Sequence, residues 1–185
     1  MKPAIFLDRD GVIIANQANY VRSWEDVTFL PGAVEALSRL ADSPYEIVIV
    51  TNQSAVGRGL IPIGKAWEIS HRMVAIIEQS GGRIDGVYMC PHAPADQCNC
   101  RKPNAGLLTQ AAEELHLDLS QSFLIGDALT DLLAAQNAGV PNRLLVLTGR
   151  GAAQANLPQA SQLRPFEMVP SLVEAVDLIL SYADQ

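Results

Sequence analysis

The sequence predicts a doubly wound α/β fold built on a parallel sheet. Short continuous apolar runs, which are typical of buried parallel strands, alternate along the chain with stretches of helical periodicity. Repetition of strand and helix in this order favours right-handed crossovers with helices on both faces of the sheet. The chain has 185 residues, 49% of them hydrophobic, which is enough for one substantial core. We therefore expect a single domain over residues 1–185.

The order of the elements follows from where the apolar runs fall. Five runs are predicted strands, and they occupy residues 4–7, 47–50, 87–89, 123–125 and 144–147. Apolar stripes with helical spacing lie at residues 34–41, 69–77 and 107–115. A last helix, with apolar positions from 172 to 180, follows Pro170 and Ser171, which are typical of a helix start. Residues 148–165 are irregular and rich in Gly, Ala, Gln, Asn and Pro, which predicts a long surface loop.

The composition excludes several classes of partner. A net charge of −7 and a pI near 4.8 argue against nucleic acid or an anionic membrane, because their phosphates require a basic face. No apolar stretch approaches the roughly 18 residues that suggest a membrane span, and the run before Asp8 is too short for a signal-peptide core. No heptad seam or long apolar edge requires a dimer. We expect a cytoplasmic monomer that acts on a small molecule.

Two carboxylates follow the first predicted strand in the motif Asp8-Arg9-Asp10-Gly11. They emerge at the carboxyl end of that strand, the edge at which open α/β sheets bind ligands. Alternation directs Asp8 and Asp10 to one side and Arg9 to the other. Carboxylates this close require a compensating cation, and Mg²⁺ with oxygen ligands is the natural candidate. Taken alone, the motif also fits an ordinary turn after a strand.

Polar residues also follow the second and third predicted strands. The second is followed by Thr51-Asn52-Gln53-Ser54, where a hydroxyl and backbone N–H groups suit phosphoryl oxygens, although a helix N-cap or an Asx turn would use the same residues. The third is followed, after a loop, by Arg101-Lys102-Pro103. Two adjacent cations in an acidic protein are suited to neutralising a phosphate, although a bare Arg-Lys pair is usually solvated.

The fourth predicted strand is followed by two further carboxylates, Asp127 and Asp131. Asp127 at the strand end is a predicted metal ligand facing Asp8. Asp131 lies one turn into a helix, where it would support Asp127 or a cation. The helix dipole alone also favours a carboxylate at that place.

A short segment concentrates all three cysteines of the chain. Its pattern, C-x-H-x5-C-x-C, consists of Cys90, His92, Cys98 and Cys100. Four N/S ligands satisfy a tetrahedral Zn²⁺ with no open position, which predicts a structural zinc within a loop over residues 90–103. Such a zinc would fix the loop that presents Arg101 and Lys102. The alternative is three reduced cysteines beside an unrelated histidine.

Together these motifs resemble the haloacid dehalogenase (HAD) superfamily of phosphohydrolases. The resemblance rests on Asp8-Arg9-Asp10-Gly11, Thr51 after a strand, Lys102, and Gly126-Asp127 followed by Asp131. It implies a HAD-like Rossmannoid sheet in which Asp8 is the nucleophile, forming an aspartyl-phosphate intermediate, and Asp10 is the general acid and base. Thr51 and Lys102 would hold the transferring phosphoryl group. Catalytic Mg²⁺ would be bound by Asp8, by the backbone carbonyl of Asp10 and by Asp127.

Over residues 4–150 the chain is similar to the bacterial D-glycero-D-manno-heptose 1,7-bisphosphate 7-phosphatases, which lack a large cap domain and carry this zinc loop. That family acts in nucleotide-heptose and lipopolysaccharide precursor synthesis. The resemblance implies substrate contacts from Asn19, Tyr20, Asn52, Gln53, Ser54 and Arg101. The chain departs from the family at Val12, where threonine is usual, and at Ala128, where lysine is frequent.

Two alternatives remain open at this point. The histidinol-phosphate phosphatases share the aspartate motif and a very similar cysteine loop, but Arg58-Gly59 and Gly106 favour the heptose branch. The second alternative is a non-catalytic, zinc-stapled module that binds phosphorylated ligands or a protein. Retention of the whole set of catalytic residues argues against it.

Overall fold

The protein is described by a computed structural model that covers residues 1–163 and 165–183. Its sheet has six parallel strands: β1 (Ala4–Leu7), β2 (Glu46–Asn52), β3 (Gly86–Cys90), β4 (Phe123–Gly126), β5 (Asn142–Val146) and β6 (Glu167–Val169). The spatial order is β3-β2-β1-β4-β5-β6, a doubly wound order that reverses between β1 and β4. The predicted fold class is confirmed.

Helices cover both faces of this sheet. They are α1 (Ala33–Arg39), α2 (Ser54–Gly57), α3 (Ile63–Gln79), α4 (Gly106–Leu115), α5 (Leu129–Ala138), α6 (Gly151–Ala155), α7 (Ala160–Leu163) and α8 (Leu172–Ala183). Ile5 and Leu7 of β1 pack on the face with α1, α3 and α8, whereas Ala4 and Phe6 pack on the face with α4 and α5. The alternation of a buried strand therefore joins two apolar cores across one sheet.

All the predicted strands and helices are present, and most of them are longer than the apolar runs that predicted them. The helix start at Ser171 is confirmed, because its hydroxyl accepts a hydrogen bond from the backbone N–H of Val173 at 3.1 Å. Among the described residues, no helix combines the length and the apolarity that a membrane crossing needs.

The prediction of a long loop over residues 148–165 is wrong. This segment contains α6 and α7, and β6 follows it directly. The helices have only five and four residues, too few for an apolar stripe to stand out, and β6 has three. Residue 164 within that segment, and residues 184 and 185 of the predicted domain, lie outside the described residues.

Candidate active site

The carboxyl ends of the strands open onto a cavity of about 530 Å³ at the point where the strand order reverses. The predicted site residues that line it are Asp8, Asp10, Tyr20, Asn52, Gln53, Ser54, Arg101 and Lys102. Thr51 and Asp127 are fully buried and are not among the residues that line the cavity. Asn19 is exposed and does not line the cavity, although Ala18 and Tyr20 on either side of it do.

Lys102 lies between two buried carboxylates. Its Nζ is 2.9 Å from Asp8 Oδ1 and 2.8 Å from Asp131 Oδ1, and it donates to the backbone carbonyl of Val50 at 2.8 Å. Asp131 Oδ2 also accepts from the backbone N–H of Ala128 at 3.0 Å. Asp131 therefore supports a cation, as one of the two sequence predictions stated, and that cation is Lys102.

The burial of these charges shifts their pKa values in directions that have clear causes. Burial raises the pKa of Asp8 to about 7; Lys102 opposes that rise, while Asp131, Asp127 and Asp10 add to it. Burial alone would lower the pKa of Lys102, but the charges of Asp131 and Asp8 raise it above its usual range. Asp8 and Asp131 therefore stabilise Lys102 as a cation at the floor of the cavity.

Asp10 belongs to a separate hydrogen-bonded group. Arg9 Nε donates to Asp10 Oδ2 at 3.0 Å, and Gln53 Nε2 donates to the same oxygen at 3.0 Å and to Thr51 Oγ1 at 2.8 Å. Arg9 also donates to Gln53 Oε1 at 2.9 Å. The prediction that Arg9 points away from the carboxylates is wrong, because β1 ends at Leu7 and strand alternation no longer applies beyond it.

Asp127 is fully buried and approached from two loops. Its Oδ2 accepts from Asn16 Nδ2 and from the backbone N–H of Arg150, each at 2.9 Å, and its Oδ1 lies 3.0 Å from an Arg150 guanidinium nitrogen. One carboxylate oxygen each from Asp8, Asp127 and Asp131 lie within 4.8 Å of one another. Such a buried set of hard oxygen donors fits Mg²⁺. The side chain of Asp10 is not part of this cluster.

The predicted substrate-binding residues have defined internal partners. Asn52 donates to the Lys102 carbonyl and accepts from the Lys102 N–H, both at 3.1 Å, so its amide holds the backbone of that lysine. Arg101 donates to Ser54 Oγ at 2.7 Å and to the His92 carbonyl at 3.3 Å. These bonds join the loop after β3 to the end of β2 and the start of α2.

The four predicted zinc ligands form one cluster. Cys100 Sγ lies 3.2 Å from Cys90 Sγ, 3.4 Å from Cys98 Sγ and 3.3 Å from His92 Nδ1. A tetrahedron with Zn–S bonds of about 2.3 Å has edges of about 3.8 Å, close to these separations. The donor set and its spacing fit Zn²⁺, and β3 places Cys90 opposite Asn52 of β2.

Several cavity residues were absent from the predicted set. Besides Asp131, the polar ones are Asn16, Gln17, Arg58, Thr130 and Arg150. Arg58 lies over the ring of Tyr20, with Cζ 6.0 Å from the ring centroid, and Tyr20 itself has a positive φ of 64°. Arg150 follows the fifth predicted strand, in the same position as the polar residues after the other strands, and that position was the signal that could have found it.

The doubly wound sheet and the carboxylates at its reversal point define a hydrolase of the HAD-like class. The family model described as HAD-hydrolase-like matches residues 99–175, which include Lys102, Asp127 and Asp131. The D-glycero-beta-D-manno-heptose-1,7-bisphosphate 7-phosphatase of Haemophilus ducreyi is 42% identical over 156 residues, covering 80% of this chain and 85% of that protein. The protein of the same name from Pasteurella multocida is 36% identical over 183 residues, covering 95% and 99%.

A solved structure agrees with these relatives. The crystal structure of D,D-heptose 1,7-bisphosphate phosphatase from B. bronchiseptica, complexed with magnesium and phosphate, superposes with a TM-score of 0.89 at 34% identity. The match covers 98% of this chain and 99% of that one. The chain belongs to the D-glycero-D-manno-heptose-1,7-bisphosphate 7-phosphatase family.

Proposed function

We propose that this chain hydrolyses the 7-phosphate ester of D-glycero-D-manno-heptose 1,7-bisphosphate, a step in lipopolysaccharide precursor synthesis. The observation that carries the proposal is the arrangement of Asp8 and Asp127 at the ends of adjacent strands β1 and β4, with Lys102 2.9 Å from Asp8. The names of the relatives support the choice of substrate. The same names favour this substrate over histidinol phosphate.

Asp8 is the nucleophile in this proposal. Both hydrogen bonds that its carboxylate receives among the described residues, from Lys102 and from the Arg9 backbone N–H at 2.8 Å, end on Oδ1. We therefore assign Oδ2, which receives neither of these bonds, as the oxygen that attacks phosphorus. As its bond to phosphorus forms, the bond from phosphorus to the sugar oxygen breaks, and the aspartyl phosphate carries the phosphoryl group until water attacks it.

Asp10 transfers the protons of both steps. It gives a proton to the departing sugar oxygen and then takes one from the attacking water. Arg9 and Gln53 fix its carboxylate in place. Thr51 Oγ1 accepts from Gln53, so its own hydroxyl proton is available for a phosphoryl oxygen, and Lys102 supplies a fixed positive charge beside that oxygen.

The proposed metals have separate roles. Asp8, Asp127 and the backbone carbonyl of Asp10 would hold Mg²⁺, which supplies charge neutralisation for the phosphoryl group when bound. The relative from B. bronchiseptica was solved with magnesium and phosphate. The Cys90 cluster would hold a structural Zn²⁺ that fixes the loop over residues 90–103.

We also propose that the protein is a cytoplasmic monomer with one domain and no nucleic-acid or membrane partner. Its acidic net charge of −7 supports the exclusion of anionic polymers and surfaces. Of the two edge strands, β3 and β6, the second has three residues, which offers little length for pairing with another chain.

Release of inorganic phosphate tests the function. The substrates to compare are the two anomers of the heptose bisphosphate, histidinol phosphate and fructose bisphosphate, each with and without Mg²⁺. We expect the heptose bisphosphate to have the highest kcat/KM, and Asp8→Asn to abolish turnover while exposed Asp42→Asn retains it. If a folded, metal-replete sample shows no magnesium-dependent phosphate release from any of these esters, the proposed function is wrong and the non-catalytic alternative is favoured.

A further inference from the structure

Arg150 binds the carboxylate of Asp127 through both its backbone and its side chain. The backbone N–H donates to Oδ2 at 2.9 Å, Nε is 3.3 Å from the same oxygen, and a terminal guanidinium nitrogen donates to Oδ1 at 3.0 Å. A single residue therefore bonds both oxygens of the carboxylate that belongs to the candidate metal cluster.

The backbone and the side chain of Arg150 differ in how firmly they are held. Its backbone lies in a tight loop, since the preceding Gly149 has a φ of +57° and a Cβ there would lie 2.4 Å from Asp127 Oδ2. Thr148 Oγ1 also donates to the Gly11 carbonyl at 2.6 Å. The Arg150 side chain, by contrast, is 55% exposed and lines the cavity, whereas that of Asp127 is 0% exposed. The guanidinium can move while the backbone contact persists.

A divalent cation that bound Asp127 would compete with the guanidinium for Oδ1 and repel it. The backbone N–H can remain on Oδ2, because it carries no net charge. The released guanidinium stays tethered beside the cavity, where the proposed substrate places two phosphates. In the proposed function Asp8 and the buried Lys102, whose side chain is 1% exposed, meet the transferred phosphate, and the Arg150 side chain, 55% exposed in the same cavity lining, is a cation free to reach towards the other one.

We infer that Arg150 is an exchangeable cation, which leaves Asp127 when a divalent cation binds there and then binds the substrate phosphate that is not transferred. Only the binding to the substrate phosphate rests on the proposed function; the release from Asp127 does not. Arginine suits the role because its guanidinium makes paired hydrogen bonds to a carboxylate or to a phosphate with the same fork geometry.

Calorimetric titration with Mg²⁺ in the absence of substrate tests the release from Asp127. Arg150→Gln should lower the Kd for Mg²⁺ by roughly tenfold, because a charge-assisted competitor is removed. The matched control is Arg58→Gln. It also removes a guanidinium from the cavity lining, but that guanidinium lies over the Tyr20 ring and not on Asp127. Arg150→Lys should fall between Arg150→Gln and the wild type. Equal Mg²⁺ affinities for Arg150→Gln and Arg58→Gln would overturn the exchange.

Steady-state kinetics test the binding to the substrate phosphate. At saturating Mg²⁺, Arg150→Gln should raise KM for the heptose bisphosphate by roughly tenfold and raise KM for the corresponding 7-monophosphate by much less. An equal rise for both esters would overturn the assignment to the second phosphate. If the wild type hydrolyses neither ester, the proposed function fails, and the Mg²⁺ titration still decides whether the exchange occurs.

Discussion

Lys102 uses all three of its ammonium protons within the protein. They bind Asp8, Asp131 and the Val50 carbonyl, and Asn52 fixes the lysine backbone through two further bonds. A cation held in this way needs no rearrangement when negative charge develops nearby, which is the condition for effective electrostatic stabilisation of a transition state. Asp131 is accordingly a positioning residue for Lys102.

Gly149 packs closely against Asp127 of the candidate metal centre, with no room for a side chain. In Gly149→Ala, the new Cβ would lie 2.4 Å from Asp127 Oδ2 and 2.6 Å from the Gly11 Cα. We expect the displaced carboxylate to cost about tenfold or more in Mg²⁺ affinity and kcat/KM. Calorimetry with Mg²⁺ and phosphate-release kinetics measure the two effects.

The control for that substitution is Gly139→Ala. Gly139 also has a positive φ, of +83°, but a Cβ there meets nothing within 4 Å. Both variants should lose about 1–2 kcal/mol of stability from left-handed strain, and only Gly149→Ala should lose Mg²⁺ affinity as well. If the two variants retain equal Mg²⁺ affinity, the loop after β5 does not shape the site.

The residues that sequence could predict are those that directly follow an apolar strand. Asp8, Thr51 and Asp127 were placed correctly at one edge because the ends of parallel strands meet there. Arg150 was not predicted, because it lies three residues beyond the fifth predicted strand in a segment without periodicity, and its contact with Asp127 depends on tertiary approach. Its place after a strand is the sequence signal that indicates it. The direction of Arg9 was predicted wrongly for a related reason: it lies beyond the strand, where side-chain alternation has ended.

At the scale of elements, the loop over residues 90–103 and helix α2 form one packed unit. The Gly57 N–H donates to the Pro91 carbonyl at 2.7 Å, and a Cβ at Gly57 would lie 2.3 Å from the Ala93 nitrogen. The Arg101 side chain adds a bond to Ser54 at the start of α2. We therefore expect a change in the loop to displace two parts of the cavity lining, the start of α2 and Lys102.

This coupling predicts that loss of the zinc cluster impairs substrate binding. His92→Gln should reduce zinc content below about one ion per chain, lower the Tm and raise KM, because one of four ligands is lost and Arg101 is no longer fixed. Elemental analysis, thermal unfolding and kinetics measure these effects. His71→Gln, on the exposed face of α3, is the matched control and should change none of them. Full zinc occupancy in His92→Gln would contradict the ligand assignment.

At the scale of the whole molecule, the sheet makes the two apolar layers depend on each other. Successive residues of β1 and β2 face opposite cores, so that Ile47 and Ile49 belong to one layer and Val48 and Val50 to the other. Neither layer can lose its helices without exposing one face of the same strands to water. The loops that form the cavity are attached to the carboxyl ends of these strands, so the site depends on both layers.

The metal-replete protein should therefore unfold in one transition whose midpoint does not depend on protein concentration. Tryptophan fluorescence reports on Trp24, which packs against the core that includes α1 and α3 residues, and on Trp67 within α3, whereas far-ultraviolet circular dichroism reports on all helices. For one cooperative domain the two signals should change together in urea. A monomer should also keep the same midpoint across a wide range of concentrations, because no association equilibrium contributes to its stability. Separate transitions would contradict the single domain, and a midpoint that rises with concentration would contradict the monomer.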